Sequence, residues 1–208
     1  MIKAIIHWTF PATVFLAAGC VSLLPETAPP KPRYHIGAID AGSLQGPSVD
    51  WSLVVADPRT TRIYDSVRIA VSTAPGKIEY FAGGEWADRA PRLFQTALIQ
   101  TFENSGRILA VGDRAALSVG DVVLQMDIRA LYLDVRSGDP VSSVTVYTRL
   151  TDGKGSIYAA RLFGVSEPAR SESADDVVAA MNTALSGVIM DIVAWTYDEG
   201  EKAVRAKS

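Results

Sequence analysis

Apolar and polar residues alternate along the second half of the chain, as is typical of β-strands that bury one face. Between residues 121 and 135, Val122, Leu124, Met126, Ile128 and Ala130 fall on one side and polar side chains on the other. Two further runs, 141–150 and 157–165, follow turn sequences rich in glycine, aspartate and proline. The pattern predicts a three-stranded antiparallel meander with one face toward solvent.

The first half of the chain carries shorter apolar runs, each bounded by glycine, proline, serine or aspartate. These runs predict five more strands, at 34–40, 51–57, 68–72, 77–81 and 107–112.

Two segments have helical rather than alternating spacing. The first lies behind Asp88, carries apolar residues from Leu93 to Phe102 at helical intervals, and ends at Gly106. The second begins near Ser173 with two aspartates in its first turn and runs to about Trp195. We therefore predict an α+β two-layer sandwich: a mainly antiparallel sheet covered on one face by two long amphipathic helices.

The first 19 residues have the pattern of a signal peptide. An early lysine and an apolar stretch lead to Ala17, Ala18 and Gly19, and the only cysteine of the chain, Cys20, follows. A lone thiol is unusual in an oxidising compartment, so we expect Cys20 to be capped by lipid, such as palmitate, after cleavage. The alternative is ordinary cleavage next to an incidental cysteine.

The segment 20–33 is expected to be a lipidated tether. Four prolines lie within it, which disfavours helix and central strand. In the polyproline conformation 13 residues would reach about 40 Å. We predict one domain over 34–200, followed by a flexible tail at 201–208.

Composition argues against several functions. The formal net charge is −3 and the basic residues are scattered, so nucleic acid is not an expected partner. His35 is the only histidine outside the leader, and we find no catalytic triad, metal site, phosphate loop or cofactor motif. We predict no catalytic, cofactor-binding or metal-binding residue, and no enzyme activity. The segment 80–86 combines aromatic residues with two glycines, and Trp86 is expected either to pack in the core or to contact a partner.

Several segments after the tether resemble one family. They are the strand at Tyr34, the run Asp65-Ser66-Val67-Arg68-Ile69, the run Ile78-Glu79-Tyr80-Phe81, the helix start Trp86-Ala87-Asp88-Arg89-Ala90-Pro91, the helix end Phe102-Glu103-Asn104-Ser105-Gly106, and the element Arg161-Leu162-Phe163. In this order they resemble the ABC-type transport auxiliary lipoproteins, the group that includes the paraquat-inducible protein C lipoprotein.

The resemblance implies an accessory lipoprotein that docks rather than catalyses. Its expected partners are a periplasmic protein with an MCE domain and the ABC permease and ATPase, in a system that moves lipids or other hydrophobic molecules. The expected location is the periplasmic side of the cell envelope, at the outer membrane, and a homo-oligomer is compatible with this role. Trp86, Arg89 and Arg161 are the candidate partner contacts. The alternative function is a periplasmic carrier that holds a lipid between sheet and helices.

Overall fold

The structure is a computed structural model, and it describes residues 30–40 and 44–206. From Lys31 onward the chain forms one compact unit. The predicted signal peptide, Cys20 and most of the tether lie outside the described residues.

Nine strands and two helices make up the described part of the chain. In chain order they are β1 (Arg33–Tyr34), β2 (Ser52–Val55), β3 (Arg59–Thr60), β4 (Arg68–Ala74), β5 (Lys77–Trp86), α1 (Ala90–Ser105), β6 (Ala110–Gly112), β7 (Val122–Asp134), β8 (Val141–Thr151), β9 (Ile157–Pro168) and α2 (Ala174–Arg205). This confirms the predicted α+β class.

Strand β7 lies at the centre of the sheet. Along one side it pairs antiparallel with β8, which in turn pairs antiparallel with β9. Along its other side it pairs in parallel with three shorter strands in succession, β2, β3 and β4. β4 continues the sheet through β5 to β1, and β2 continues it to β6. The long ladders are antiparallel and the parallel pairings are short, so the sheet is mixed but mostly antiparallel, as predicted.

The predicted alternation of buried residues is wrong beyond Ile128, because β7 contains a bulge. The register with β8 shifts between Ile128 and Ala130, because Arg129 is an extra residue on the β7 side. Beyond the bulge the buried positions are Leu131 and Leu133, whereas Ala130 is only half-buried. One inserted residue reverses the faces of all residues after it.

The core lies between the sheet and the helices. Helix α2 packs across β7, β8 and β9, and α1 packs against α2 and β6. The buried face of α2 includes Met181, Leu185, Ile189 and Ile192, each at most 1% exposed. By length and composition α2 could cross a membrane, but more than half of its most apolar window is buried in the fold. Its apolar surface therefore serves the core of this domain.

Some element boundaries differ from the predictions. The first strand is limited to Arg33–Tyr34, and β3 was not predicted because two residues carry no alternation signal. Helix α2 continues ten residues beyond Trp195 and includes Glu201–Arg205, which we had assigned to a flexible tail. The extension is held by buried contacts: Ala203 is buried, and the Trp51 indole Nε1 donates to Glu201 at 3.2 Å.

Candidate docking surface

Three of the segments that carry the family resemblance meet at one place, which we call the tether corner: residues 31–34, 65–68 and 85–91. The end of the tether is fixed there as β1, which pairs in parallel with the last residues of β5. Its backbone is bonded on both sides of Arg33: Glu85 N–H donates to the carbonyl of Pro32 at 3.0 Å, and Ala87 N–H donates to that of Tyr34 at 2.7 Å. The chain therefore leaves the domain at a defined point.

The loop before β4 holds the start of α1 in place. Trp86 N–H donates to the carbonyl of Val67 at 2.6 Å, and Ala90 N–H donates to that of Ser66 at 3.1 Å. Helix α1 has no side-chain cap at Arg89, so the Ser66 carbonyl satisfies a helix N–H that would otherwise lack a partner.

Arg89 and Asp65 form a two-point ion pair across this corner. The Arg89 Nε donates to Asp65 Oδ1 at 2.6 Å, and its Nη2 forms a second bond to Asp65 Oδ2. The hydrogen bond and the charge of Asp65 raise the pKa of Arg89, which stays cationic. An exposed, bidentate ion pair of this kind fixes the orientation of its side chains but contributes little to the free energy of folding.

The start of α2 borders the same corner. Tyr34 Oη donates to Asp175 Oδ1 at 3.1 Å, in the first turn of α2. Desolvation, followed by this hydrogen bond, raises the pKa of Tyr34. A Cβ at Gly84 would collide with the Tyr34 ring, so a residue without a side chain is needed in the facing strand. Both helices therefore begin near the point where the tether leaves.

A polar cleft of about 310 Å³ opens beside Arg89. Its charged lining residues are Asp57, Asp65, Asp113, Arg89 and Arg92. Their charges are engaged locally: Asp57 accepts from the Gln95 amide at 3.0 Å, Asp113 accepts backbone N–H groups of its own turn, and Arg92 lies 3.5 Å from Asp88. No nucleophile is hydrogen-bonded to a base among these groups. The cleft offers mixed charges suited to recognising a polar surface.

A second cleft, of about 550 Å³, lies at the opposite ends of the two helices. The Arg107 guanidinium stacks 3.9 Å from the centre of the Tyr197 ring and donates to the carbonyl of Pro47 at 3.1 Å. Tyr197 also shares a hydrogen bond of 2.7 Å with Ser105, which joins the end of α1 to α2. Burial raises the pKa of Tyr197, while Ser105 and Arg107 oppose the rise.

No group of three or more metal-ligating side chains occurs within residues 30–40 and 44–206. Those side chains provide hydrogen bonds and charges but no assembled metal centre.

The structure separates the three predicted contact residues. Trp86 is 2% exposed and packs in the core, so in this conformation it presents no surface to a partner. Arg89 lies at the tether corner and is exposed. Arg161 is exposed on β9, beyond β8, β7 and β4 from β5. Three strands separate β9 from β5, the strand that leads to Arg89, so Arg161 and Arg89 lie on different parts of the sheet.

Sequence reasoning had named Arg89 but had missed its partner. Asp65 and Arg89 lie 24 residues apart, and no local periodicity connects them. The only signal was that both lie in segments carrying the family resemblance. Arg107 and Tyr197, which pack around the second cleft, were also missed, because each occurs among ordinary helix-end residues.

The fold defines a class of protein: an α+β sandwich whose first described strand, β1, lies beside the starts of its two helices. The sequence model of the ABC-type transport auxiliary lipoprotein component matches residues 34–193. The chain belongs to this family, which confirms the resemblance.

Individual proteins share the fold or part of the sequence with this chain. The crystal structure of protein XCC0632 from Xanthomonas campestris has a TM-score of 0.72 and 29% identity, over 84% of this chain and 98% of that one. A crystal structure of an uncharacterised protein matches with a TM-score of 0.60, 13% identity, and coverage of 86% and 99%, which shows the fold alone. An uncharacterised protein of Bradyrhizobium diazoefficiens is 28% identical over 70% of this chain, but the match spans 39% of that protein's length.

Proposed function

We propose that this chain is a membrane-anchored accessory subunit of an ABC transporter that moves lipids or other hydrophobic molecules, and that it acts by docking rather than by catalysis. Its partner in this proposal is a periplasmic MCE-domain protein, together with the permease and ATPase. Lipid on Cys20 anchors it, on the periplasmic side of the outer membrane.

The observation that carries this proposal is the fixed end of the tether. A linker that serves only as a spacer has no need of a defined exit, yet Tyr34 is bonded to β5 through its backbone and to α2 through its hydroxyl. Lys31, three residues earlier, pairs with Glu85 at 3.4 Å. A defined exit keeps the end of the tether on one surface of the domain, and this lowers the ordering cost of docking onto a partner that reaches across the periplasm.

Packing supports docking over carriage of a lipid. The apolar residues where α2 meets β7 and β8 fill the space between them: Met181, Leu185, Leu124 and Val146 are each at most 1% exposed. The four clefts described along residues 44–206 are open grooves at the surface, bordered by charged or polar side chains. A lipid carrier would need an apolar cavity instead. Native mass spectrometry of the purified chain should accordingly find no stoichiometric lipid beyond the covalent anchor.

Isolation of the transporter from membranes tests docking. The tagged full chain should co-purify the MCE-domain protein, and Arg89→Glu should reduce the amount recovered by about tenfold or more, because it reverses charge at the tether corner. Lys154→Glu is the matched control, because it reverses an exposed charge in the turn between β8 and β9, outside the tether corner and the cleft beside it. If the wild-type chain recovers no MCE protein from membranes that contain the assembled transporter, the docking proposal is wrong.

A further inference from the structure

The free edge of β9 is the longest unpaired strand edge in the described part of the chain. Strand β9 has 12 residues and pairs only with β8. Most of its residues are exposed, including Leu162 at 53%. A long, uncovered edge presents a row of backbone donors and acceptors that favours pairing with another strand.

The ladder with β8 determines which backbone groups are available. Ala169 N–H donates to the Pro140 carbonyl at 2.8 Å, and the register continues without a shift from Val141 opposite Pro168 to Leu150 opposite Ala159. In an antiparallel ladder, hydrogen-bonded and non-bonded pairs alternate. The odd-numbered residues of β9 therefore bond to β8, and the N–H and C=O groups of Ala160, Leu162, Gly164 and Ser166 point outward.

Two charges on this strand are placed so that they complement each other in a second copy. Arg161 and Glu167 lie on the same face of β9, and within residues 30–40 and 44–206 neither side chain has an ion-pair partner. The Arg161 guanidinium rests 5.0 Å from the centre of the Phe163 ring. The midpoint between Arg161 and Glu167 is Gly164, whose backbone points outward.

We infer that β9 pairs antiparallel with β9 of a second copy of this chain, about a two-fold axis at Gly164. In this register Gly164 faces Gly164 of the second copy, and Leu162 faces Ser166, as hydrogen-bonded pairs. Arg161 faces Glu167 of the second copy twice, in non-bonded pairs, where side chains approach most closely. Registers centred on Leu162 or Phe163 would place Arg161 opposite Phe163 or Val165 and leave both charges unpaired.

Helix α2 leaves room for the second copy. Next to β9 it carries the small residues Ala179, Ala180 and Thr183, and these border a shallow cleft together with the charged residues Glu167, Arg170 and Asp176. Further along, a Cβ at Gly187 would lie 3.2 Å from Val165, so the helix lies close above β9. Small side chains on this flank allow two helices to approach across the joined sheets.

Cysteine cross-linking in membranes tests the register with the full chain. Gly164→Cys places two thiols opposite each other at a Cα separation of about 5.5 Å, within disulfide range. The new Cβ would meet Thr145 only at 3.4 Å, so the substitution is tolerated. Ser166→Cys is the matched control on the same face of β9, and its two copies would lie more than about 13 Å apart. The parental chain controls for Cys20.

We expect a disulfide-linked dimer for Gly164→Cys, at least about fivefold more abundant than for Ser166→Cys. A charge exchange provides the second readout, by analytical ultracentrifugation of the full chain in detergent. Arg161→Glu and Glu167→Arg should each weaken self-association about tenfold, and the double variant should restore it. Any of three results would overturn the inference: equal cross-linking at both positions, no cross-link at Gly164→Cys, or no recovery of self-association in the double variant. These results are expected if the β9 edge is occupied by a strand of another protein.

Discussion

Replacing Gly200 with alanine should destabilise the protein, although the same change usually stabilises a helix. Gly200 is buried within α2. A Cβ built there would lie 2.7 Å from both Cη2 and Cζ2 of the Trp51 indole. Real Cβ atoms do not approach so closely, so either the indole or the helix must shift.

The structure sets the expected size of this effect. The gain in helix propensity from glycine to alanine is about 1 kcal/mol. Overpacking a filled core costs about 1 to 3 kcal/mol, and Trp51 has little freedom to yield, because it is 1% exposed and bonded to Glu201. The cost should therefore lie in the upper part of this range, at about 2 to 3 kcal/mol. After subtraction of the propensity gain, we expect a net loss in the free energy of unfolding of about 1 to 2 kcal/mol, or a decrease of about 2 to 8 °C in Tm for a chain of this size.

Urea denaturation of the full chain in mild detergent, followed by circular dichroism, measures the loss. A double-mutant cycle with Trp51→Phe isolates the contact, since the smaller ring makes room for the new methyl group. Gly200→Ala should cost at least about 1 kcal/mol less in the Trp51→Phe background than in the wild type. If Gly200→Ala raises stability by the usual helix-propensity gain, the close packing of α2 on Trp51 is wrong.

Three further changes have defined outcomes. Ser173→Ala should lower the free energy of unfolding by about 1 kcal/mol, because the Ser173 hydroxyl accepts the Asp176 N–H at 3.3 Å and caps the start of α2. Ser173→Gly should lower it by only about a few tenths of a kcal/mol. Equal losses for the two variants in urea denaturation would argue against this helix cap. Backbone N–H groups of the β8–β9 turn lower the pKa of Asp152, so the ionised carboxylate stabilises the fold fully above the ordinary aspartate pKa, and this stabilisation is lost as the pH falls through the lower folded-state pKa. Asp152→Asn should therefore lose less stability than the wild type on acidification. Identical profiles of stability against pH for the two proteins would contradict this. Arg89→Ala should leave the free energy of unfolding nearly unchanged, because the Asp65 pair is exposed, and a large loss in thermal melts would mean that the tether corner depends on it.

Periodicity predicted the long elements because they are amphipathic along their whole length. Strand β8 alternates as expected, with Val144, Val146 and Leu150 buried and Tyr147 and Arg149 half-buried. The bulge at Arg129 could not be predicted, since a bulge is set by the pairing of β7 with β8 and leaves no mark in β7 alone.

The end of α2 was missed for a related reason. Residues after Trp195 are mostly polar and include Gly200, a pattern typical of a helix that has ended. Those residues stay helical because Trp51, almost 150 positions earlier, packs against Gly200 and bonds to Glu201. Tertiary packing overrides local propensity here.

The candidate site was predictable only in part. Six segments were recognised from the family resemblance, and the structure brings three of them together at the tether corner through backbone bonds that no sequence pattern encodes. The exposed Arg89 agrees with a surface role. Trp86 does not, because its hydrophobic ring fills the core where β5 leads into α1.

Metabolic labelling with a fatty acid, combined with membrane fractionation, tests the central claim of an anchored docking subunit most directly. The wild-type chain should incorporate label and sediment with outer membranes, whereas Cys20→Ser should remain unlabelled and appear in the soluble periplasm. An unlabelled wild-type chain, or a Cys20→Ser chain that stays in the membrane fraction to the same extent, would contradict anchoring through Cys20.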